Sequence, residues 1–299
     1  MAKMQTPAMA KFEKQKKKMK SYSPAREAWR RLCRNRTALL GLFILIFLLL
    51  MAVFANFIAP YEFQEQMITE AYQTPSLKHL FGTDNFGRDL FSRCVYGTRY
   101  TLLLGLLCVL ASLATGGAMG MVAGYAGGKL DNYIMRCMDI LQAIPQVLLA
   151  ICIASALGNG VWQLITAMTI SNLPVMTRNF RTAILNVRTA EYIESSQAIG
   201  VNKVEMVLRH MLPNAVGVIV IYVVQVMANS ISTIASLSYL GVGLQPPAAE
   251  WGLILSDCKG FFTSFPHMVL FPALLIMITV LAMNMLGDGL RDAFDPRLK

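Results

Sequence analysis

Six long apolar runs constrain what this chain can fold into. A helix needs about 20 residues to cross the ~30 Å hydrocarbon layer of a membrane, so most of these runs can cross it once. The composition, 55% hydrophobic and 15% charged, is typical of an integral membrane protein. We therefore predict an all-α membrane protein with six transmembrane helices. The runs occupy residues 38–58, 101–123, 138–157, 161–176 (the shortest), 215–240 and 268–287.

The distribution of basic residues predicts the orientation of these helices. Of the 27 Lys and Arg residues, 22 fall in the two tails and in segments 124–136 and 178–213, and five in segments 59–100 and 241–267. Basic residues concentrate on the cytoplasmic side, so both termini are predicted to be cytoplasmic. Much of the net charge of +10 therefore reflects topology. No basic patch alternates with stacking aromatics, so a nucleic-acid partner is not indicated.

Two segments precede the first run. Residues 1–22 are polar and basic, and they predict a cytoplasmic tail that can meet lipid headgroups. A signal peptide is not indicated, because the first apolar run is a full span. Ser23 can cap a helix with Pro24 in its first turn, and segment 23–37 is predicted to be an interfacial amphipathic helix. Its predicted apolar face comprises Trp29, Leu32 and Cys33.

A polar, amphipathic island at residues 191–214 separates the fourth and fifth runs. Nothing in 190–199 breaks a helix, and Gly200 favours an end there. Asn202 can cap a second helix, and Pro213 disfavours helix at the residue before it, so a turn is predicted there. We expect two short helices at a sharp angle on the cytoplasmic side. The predicted apolar stripe comprises Val204, Val207, Leu208 and Met211, and Ser195 and Ser196 are predicted to face outward.

A glycine-rich segment, 79–99, precedes the second run. Gly82 and Gly87 allow tight turns, and Asp84 and Asp89 can cap the structure after them. Arg88 and Arg93 can pair with these aspartates in a compact external cap. A metal site with His79 is not indicated, because no second histidine lies nearby. Trp251, in a second external segment, is predicted to lie near the membrane interface.

Uncharged polar residues within the runs allow two interpretations. They either line a polar passage or join helices by hydrogen bonds. Asp139 is predicted to pair with Arg136, three residues earlier on the same helix. Glycines spaced four residues apart, at 116, 120, 124 and 128, predict close helix packing. The polar residues are Gln142, Gln146, Gln225 and Asn229.

The same residues carry a resemblance. Glu194-Ser195-Ser196, Gly200 and Leu212-Pro213 match the order of the EAA loop of ABC-importer permeases, in which Glu-Ala-Ala precedes Gly and then Leu-Pro. Here serines replace both alanines. Four further stretches resemble permeases of the dipeptide, oligopeptide and nickel group, so the resemblance extends from Trp29 to Lys299. They are WRRLCRNRTALLGL, HLFGTDNFGRDLFSRCVYGTR, SYLGVGLQPPAAEW and GDGLRDAFDPRLK.

The resemblance implies a type I ABC importer fold in the plasma membrane of a prokaryote. It implies a homologous second permease, two ATP-binding subunits and an extracytoplasmic solute-binding protein as partners. The implied segments are tail 1–22, elbow helix 23–37, first transmembrane helix 38–58, extracytoplasmic loop 59–100, five-helix domain 101–290 with coupling loop 189–213, and cytoplasmic tail 291–299. The implied coupling residues are Glu191, Glu194, Ser195, Ser196, Gly200, His210, Leu212 and Pro213. The implied binding-protein-facing residues are Gly82, Thr83, Asp84, Gly87, Arg88, Asp89, Pro246, Pro247 and Trp251.

Energy is expected to come from other chains. Gly128-Lys129 is not a phosphate-binding loop, because Leu130 stands where Ser or Thr is needed. We therefore expect no cofactor on this chain, with ATP and Mg²⁺ used by partner subunits. The predicted function is uptake of di- or oligopeptides, and nickel or a metal chelate is the alternative cargo.

Two other classes of function are less well supported by the sequence. A stand-alone secondary transporter or channel would need intramembrane carboxylates, and the runs carry few ionisable groups. An intramembrane enzyme would need a nucleophile and base at depth, but His79, His210 and His267 lie outside the runs. No catalytic residue is predicted. Of the six cysteines, Cys94 and Cys258 both fall in external segments and could pair.

Overall fold

The structure is a computed structural model that describes residues 24–294, which are almost entirely helical. Two 3₁₀ turns (Ile68–Glu70 and Lys259–Phe261) and a π-helix (Met206–Met211) accompany the α-helices. The predicted tail 1–22 and the cap at Ser23 lie outside the described residues. The α-helices are α1 (Pro24–Leu32), α2 (Arg36–Val53), α3 (Ala55–Ile58), α4 (Leu90–Ala126), α5 (Gly128–Gln142), α6 (Gln146–Leu157), α7 (Val161–Arg188), α8 (Glu191–Ala198), α9 (Lys203–Glu205), α10 (Leu212–Tyr239), α11 (Trp251–Cys258) and α12 (His267–Phe294).

Four continuous helical stretches in the described chain are long and apolar enough to cross a membrane. They are α2, α4, the stretch Lys203–Tyr239 that contains α9, the π-helix and α10, and α12. The pair α5–α6 passes the same test as one broken span. Helix α7 has 28 residues, about 42 Å at 1.5 Å per residue, but its second half carries three arginines. Of the six predicted spans, four are thus continuous, one is broken, and α7 qualifies by length alone.

The prediction of one helix over 138–157 is wrong. The chain bends by 83° between α5 and α6, across Ala143–Pro145. Proline disfavours helix at the residue before it, and Pro145 itself has ψ 132 and precedes the first turn of α6. The 12 residues of α6 span about 18 Å, which is too short to cross the membrane alone.

Helices α4 and α7 pack closely because glycines on α4 admit the backbone of α7. A Cβ at Gly120 would lie 2.4 Å from the Thr177 carbonyl oxygen, and one at Gly124 would lie 2.9 Å from that of Arg181. Gly116 faces α7 as well, so the predicted ridge is confirmed at three positions. It is wrong at Gly128, which lies past the end of α4 with nothing within 4 Å of a Cβ.

The amphipathic helix before the first span is shorter than predicted. It ends at Leu32, and Asn35 caps α2 by accepting hydrogen bonds from the amides of Thr37 and Ala38. The chain turns between these helices, and the residues of the predicted apolar face differ in exposure. Leu32 is buried against α12, whereas Trp29 is 57% exposed and Cys33 is exposed.

Candidate functional site

The island at residues 191–214 begins as the sequence predicts. Helix α8 ends before Gly200, which has the left-handed φ of +83 that favours glycine. The Asn202 side chain caps α9 by accepting a hydrogen bond from the Glu205 amide. Ile193 is fully buried beside Ile184 of α7, so α8 is anchored to the end of the helix before it.

The predicted turn at Pro213 is wrong, because Lys203–Tyr239 is one helical stretch. Proline inside an α-helix clashes with the carbonyl four residues earlier. Here the wider π-helix directly precedes Pro213 and accommodates it in the first turn of α10. Asn214 then donates a side-chain hydrogen bond to the carbonyl of His210, 2.6 Å away.

The π-helix also changes which side chains are buried. Met206 and Met211 are fully buried, and their five-residue spacing follows the π-helical repeat. Of the predicted stripe, Met211 is buried, whereas Val204 and Leu208 are 68% and 52% exposed. The α-helical period assumed from the sequence did not predict the burial of Met206.

The island therefore presents apolar side chains to its surroundings. Ile199 is 81% exposed, and Val204, Leu208 and Tyr192 of the same island are exposed as well. Ser195 is exposed and Ser196 half-buried, and their hydroxyls donate to carbonyls one turn earlier in α8. An exposed apolar patch rimmed by polar residues is typical of an interaction site. The other predicted coupling residues lie on the same island: Glu191, Glu194 and Pro213 are exposed, and His210 and Leu212 are half-buried.

Ion pairs join α7 to α5. Arg181 forms a bidentate ion pair with Asp131, and both nitrogen–oxygen distances are 2.6 Å. Arg178 lies 2.7 Å from Asp139. The prediction that Asp139 pairs with Arg136 is thus wrong, because the neighbouring helix offers a guanidinium in direct reach.

A buried hydrogen-bond cluster joins four helices at the break between α5 and α6. Gln146 donates to Asn172 Oδ1 at 2.7 Å, and Asn172 donates to Ser230 at 3.1 Å and to Ser112 at 3.4 Å. Asn172, on α7, is 1% exposed. We call these four residues the polar cluster. Three of them were not predicted, because small polar residues are scattered through several apolar runs and only the fold shows which of them meet.

The other polar residues of the apolar runs lie around this cluster. Asn229 is exposed and precedes Ser230, and Gln142 is exposed at the last turn of α5. Gln225 is half-buried and faces Gly287 of α12. Gln146 joins helices, which is one of the two predicted roles, while Gln142 and Asn229 are accessible from outside the chain.

Charged side chains are buried in the segment before α4. Asp84 Oδ2 lies 2.6 Å from Arg88 Nε and 2.7 Å from Arg93, as the sequence predicts. Both arginines also contact Asp257 of α11, at 3.0 and 3.1 Å, which the sequence did not predict. Asp89 caps α4 by accepting from the Ser92 amide at 2.7 Å. This segment and α11 are therefore held together as one compact cap, which we call the external cap after its predicted side, with Gly82 and Gly87 at φ +79 and +72.

His79 is buried in the same cap between two carboxylates. Its Nδ1 lies 2.9 Å from Asp89 and its Nε2 lies 2.9 Å from Glu70. Glu70 also pairs with Lys78. Hydrogen bonds from Lys78 and then from His79 hold the pKa of Glu70 below its usual range.

The residues predicted to face a binding protein differ in exposure. Thr83, Asp84, Arg88 and Asp89 are buried, so their side chains support the cap from within. Trp251 is also fully buried and donates to the Cys94 carbonyl. Pro246 and Pro247 are exposed, and Pro247 borders a cavity of about 370 Å³ beside Phe63 and Tyr100. Cys94 and Cys258 are free and buried in one apolar cluster.

Comparisons with known proteins identify relatives over most of the chain. The family described as binding-protein-dependent transport system inner membrane component matches residues 116–299, and the N-terminal TM domain of oligopeptide transport permease C matches residues 23–75. The dipeptide transport system permease protein DppC of Alkalihalophilus pseudofirmus is 40% identical over 277 residues, which cover 93% of this chain and 91% of that protein. The glutathione transport system permease protein GsiD of Pectobacterium atrosepticum is 41% identical over 279 residues, covering 93% and 92%.

A solved structure shares the fold. An inward-facing structure of the MetNI methionine ABC transporter superposes with a TM-score of 0.57 at 20% identity. The match covers 67% of this chain and 96% of that one.

Proposed function

Because this chain belongs to the binding-protein-dependent transport inner membrane components, the permease subunits of ABC importers, we propose that it forms part of a membrane pathway for di- and oligopeptides. It has the type I importer fold, it is a multi-pass membrane protein, and as a permease it is a transporter component without a catalytic site of its own. Relatives named for dipeptide and for glutathione, itself a tripeptide, support a peptide cargo. Nickel or a metal chelate is not favoured by these relatives.

The working complex contains a second, homologous permease, two ATP-binding subunits and an extracytoplasmic binding protein. The description of the family as binding-protein-dependent supports the last of these partners. ATP and Mg²⁺ bind to the ATP-binding subunits. Both termini and the island at residues 191–214 lie in the cytoplasm, and the excess of basic residues on that side supports this orientation.

The island is the contact site for the ATP-binding subunits. The observation that carries this assignment is its exposed apolar surface, because Ile199, Val204 and Leu208 are exposed while Ile193 and Met206 fix the island to the bundle. A partner that binds this surface can displace it without unfolding it. The displacement reaches the pathway, which then opens alternately to the binding protein and to the cytosol.

Reconstitution of the full complex in liposomes tests this function. Uptake of labelled dialanine and glutathione is measured together with ATP hydrolysis. We expect peptide-stimulated hydrolysis in the wild-type complex and its loss with Ile199→Asp, which charges the contact surface. Asn132→Asp adds the same charge to an exposed position of α5 and serves as the matched control. Peptide uptake by the purified chain without partners, or full coupling in Ile199→Asp, would overturn the assignment.

A further inference from the structure

Helix α5 is flanked at each end by a break in the helical chain. At its start, Gly127 and Gly128 have φ values of +64 and +58, and a Cβ at Gly128 would meet nothing within 4 Å. At its end, the helix breaks at Ala143–Pro145 with a bend of 83°. The segments that flank α5 therefore do little to fix the orientation of this helix.

Apolar packing holds α5 only weakly. Among its 15 residues, Asp131 and Met138 have buried side chains, whereas Leu130, Tyr133 and Ile140 are 47%, 69% and 71% exposed. A helix with so few buried side chains makes few van der Waals contacts with the rest of the chain. Specific polar contacts therefore contribute much of what fixes its position.

Those contacts come from α7. Asp131, at the first turn of α5, accepts two hydrogen bonds from the guanidinium of Arg181. Asp139, near the last turn, accepts one from Arg178. A bidentate arginine–carboxylate pair fixes the relative orientation of the two side chains as well as their distance. The two pairs lie eight residues apart on α5 and three residues apart on α7, so they set both the place and the tilt of α5.

The same α7 leads directly into the island. Only Thr189 and Ala190 separate α7 from α8, and Ile184 of α7 packs with Ile193 of α8. After these two ion pairs, α5 ends at the break, with Gln142 just before it and Gln146 just after it. Gln146 donates a hydrogen bond to Asn172 of α7. One helix thus holds the island, both aspartates of α5 and the polar cluster.

We propose that the Asp131–Arg181 and Asp139–Arg178 pairs are positioning contacts that make α5 follow the island, so that displacement by the ATP-binding subunits reaches the break at Ala143–Pro145 on the peptide pathway. This inference rests on the proposed function. The displacement of the island would then travel by two routes, one through α7 and α5 and a direct one through the stretch Lys203–Tyr239. Arg181 and Arg178 act through α5 and do not touch the cargo.

The test measures peptides taken up per ATP hydrolysed in the reconstituted complex, with dialanine as the cargo. Asp131→Arg and Arg181→Asp each place like charges together, and each should lower the ratio about five-fold or more, since coupling between sites is typically worth 5-fold or more. Hydrolysis and co-purification of the ATP-binding subunits should stay near wild type. The double exchange Asp131→Arg with Arg181→Asp should recover most of the ratio, because it restores opposite charges.

A milder variant and a control keep the test decisive if a charge exchange prevents assembly. Arg181→Lys keeps the charge but loses the bidentate geometry, and it should lower the ratio by a smaller factor than the charge exchanges do. Asn132→Asp, on the exposed side of α5, should leave the ratio unchanged. A wild-type ratio in Arg181→Lys, or in either single exchange that assembles, would overturn the inference, as would a fall in uptake that merely parallels a fall in hydrolysis. Failure of the wild-type complex to transport dialanine would instead count against the proposed function.

Discussion

The guanidinium of Arg93 lies 2.7 Å from Asp84 Oδ2, and both side chains are fully buried in the external cap. The same guanidinium reaches Asp257 of α11 at 3.1 Å. Two distant parts of the chain are therefore fixed by charges that water does not screen.

Removing one partner of this pair should destabilise the protein strongly. Asp84→Ala leaves two arginines buried with less compensation, and breaking a buried pair in this way typically costs about 3–5 kcal/mol. Thermal unfolding of the detergent-solubilised chain measures the loss. Glu65→Ala removes an exposed carboxylate from the same loop and should unfold as the wild type does. Equal transition temperatures for Asp84→Ala and Glu65→Ala would contradict a structural role for the pair.

Acid should loosen the external cap around His79. Lys78 and His79 lower the pKa of Glu70 below its ordinary value of 4.5, so its ionised form favours the folded loop. This contribution is complete above pH 4.5 and is lost as the pH falls through the lowered pKa of the folded state. Amide hydrogen exchange of residues 59–89, corrected for intrinsic rates, should rise at low pH. Glu70→Gln should exchange faster at pH 7 and lose this pH dependence; the same slope in both proteins would contradict the assignment.

Filling the glycine ridge should push α4 and α7 apart. A Cβ at Gly120 would lie 2.4 Å from a backbone oxygen of α7, which cannot move aside as a flexible side chain can. Gly120→Ala should cost about 1–3 kcal/mol, as overpacking usually does. Gly260→Ala is the control, because that glycine has open space and no left-handed backbone. Unfolding temperature and membrane yield distinguish the two, and an unaffected Gly120→Ala would mean that the helices separate easily.

Removing the amide at the centre of the polar cluster should destabilise the bundle and alter transport. Asn172→Ala leaves Gln146 and Ser230 without their present partner, and in membranes such hydrogen bonds contribute roughly 1 kcal/mol. Asn229→Ala, at the exposed neighbouring position, should have a smaller effect on thermal unfolding. Dialanine uptake in the reconstituted complex should fall in Asn172→Ala. If Asn229→Ala were the more damaging change, the cluster would not be the main polar contact.

The sequence predicted what depends on near neighbours along the chain. The end of α8 at Gly200 and the cap of α9 at Asn202 both follow from the preferences of single residues. The break before Pro145 follows the same rule, but the apolar run around it concealed the signal. Residue patterns within short segments also predicted the island and the Asp84 pairs.

The features that the sequence did not predict depend on helices that are distant along the chain. Asp139 pairs with Arg178 rather than Arg136 because α7 lies beside α5. Asp257 joins the external cap only once α11 folds against it. The π-helix before Pro213 changed the period, so the α-helical pattern did not predict that Met206 is buried.

The unbroken stretch Lys203–Tyr239 has a mechanical consequence. Its 37 residues form a rod of about 55 Å at 1.5 Å per residue, with the island at one end and the loop of Pro246 and Pro247 just beyond the other. When such a rod pivots about its middle, its two ends swing in opposite directions, and a tilt of about 1° displaces one end relative to the other by about 1 Å. Inward movement at one membrane face therefore accompanies outward movement at the other, so the two mouths of the pathway need no separate signal to alternate.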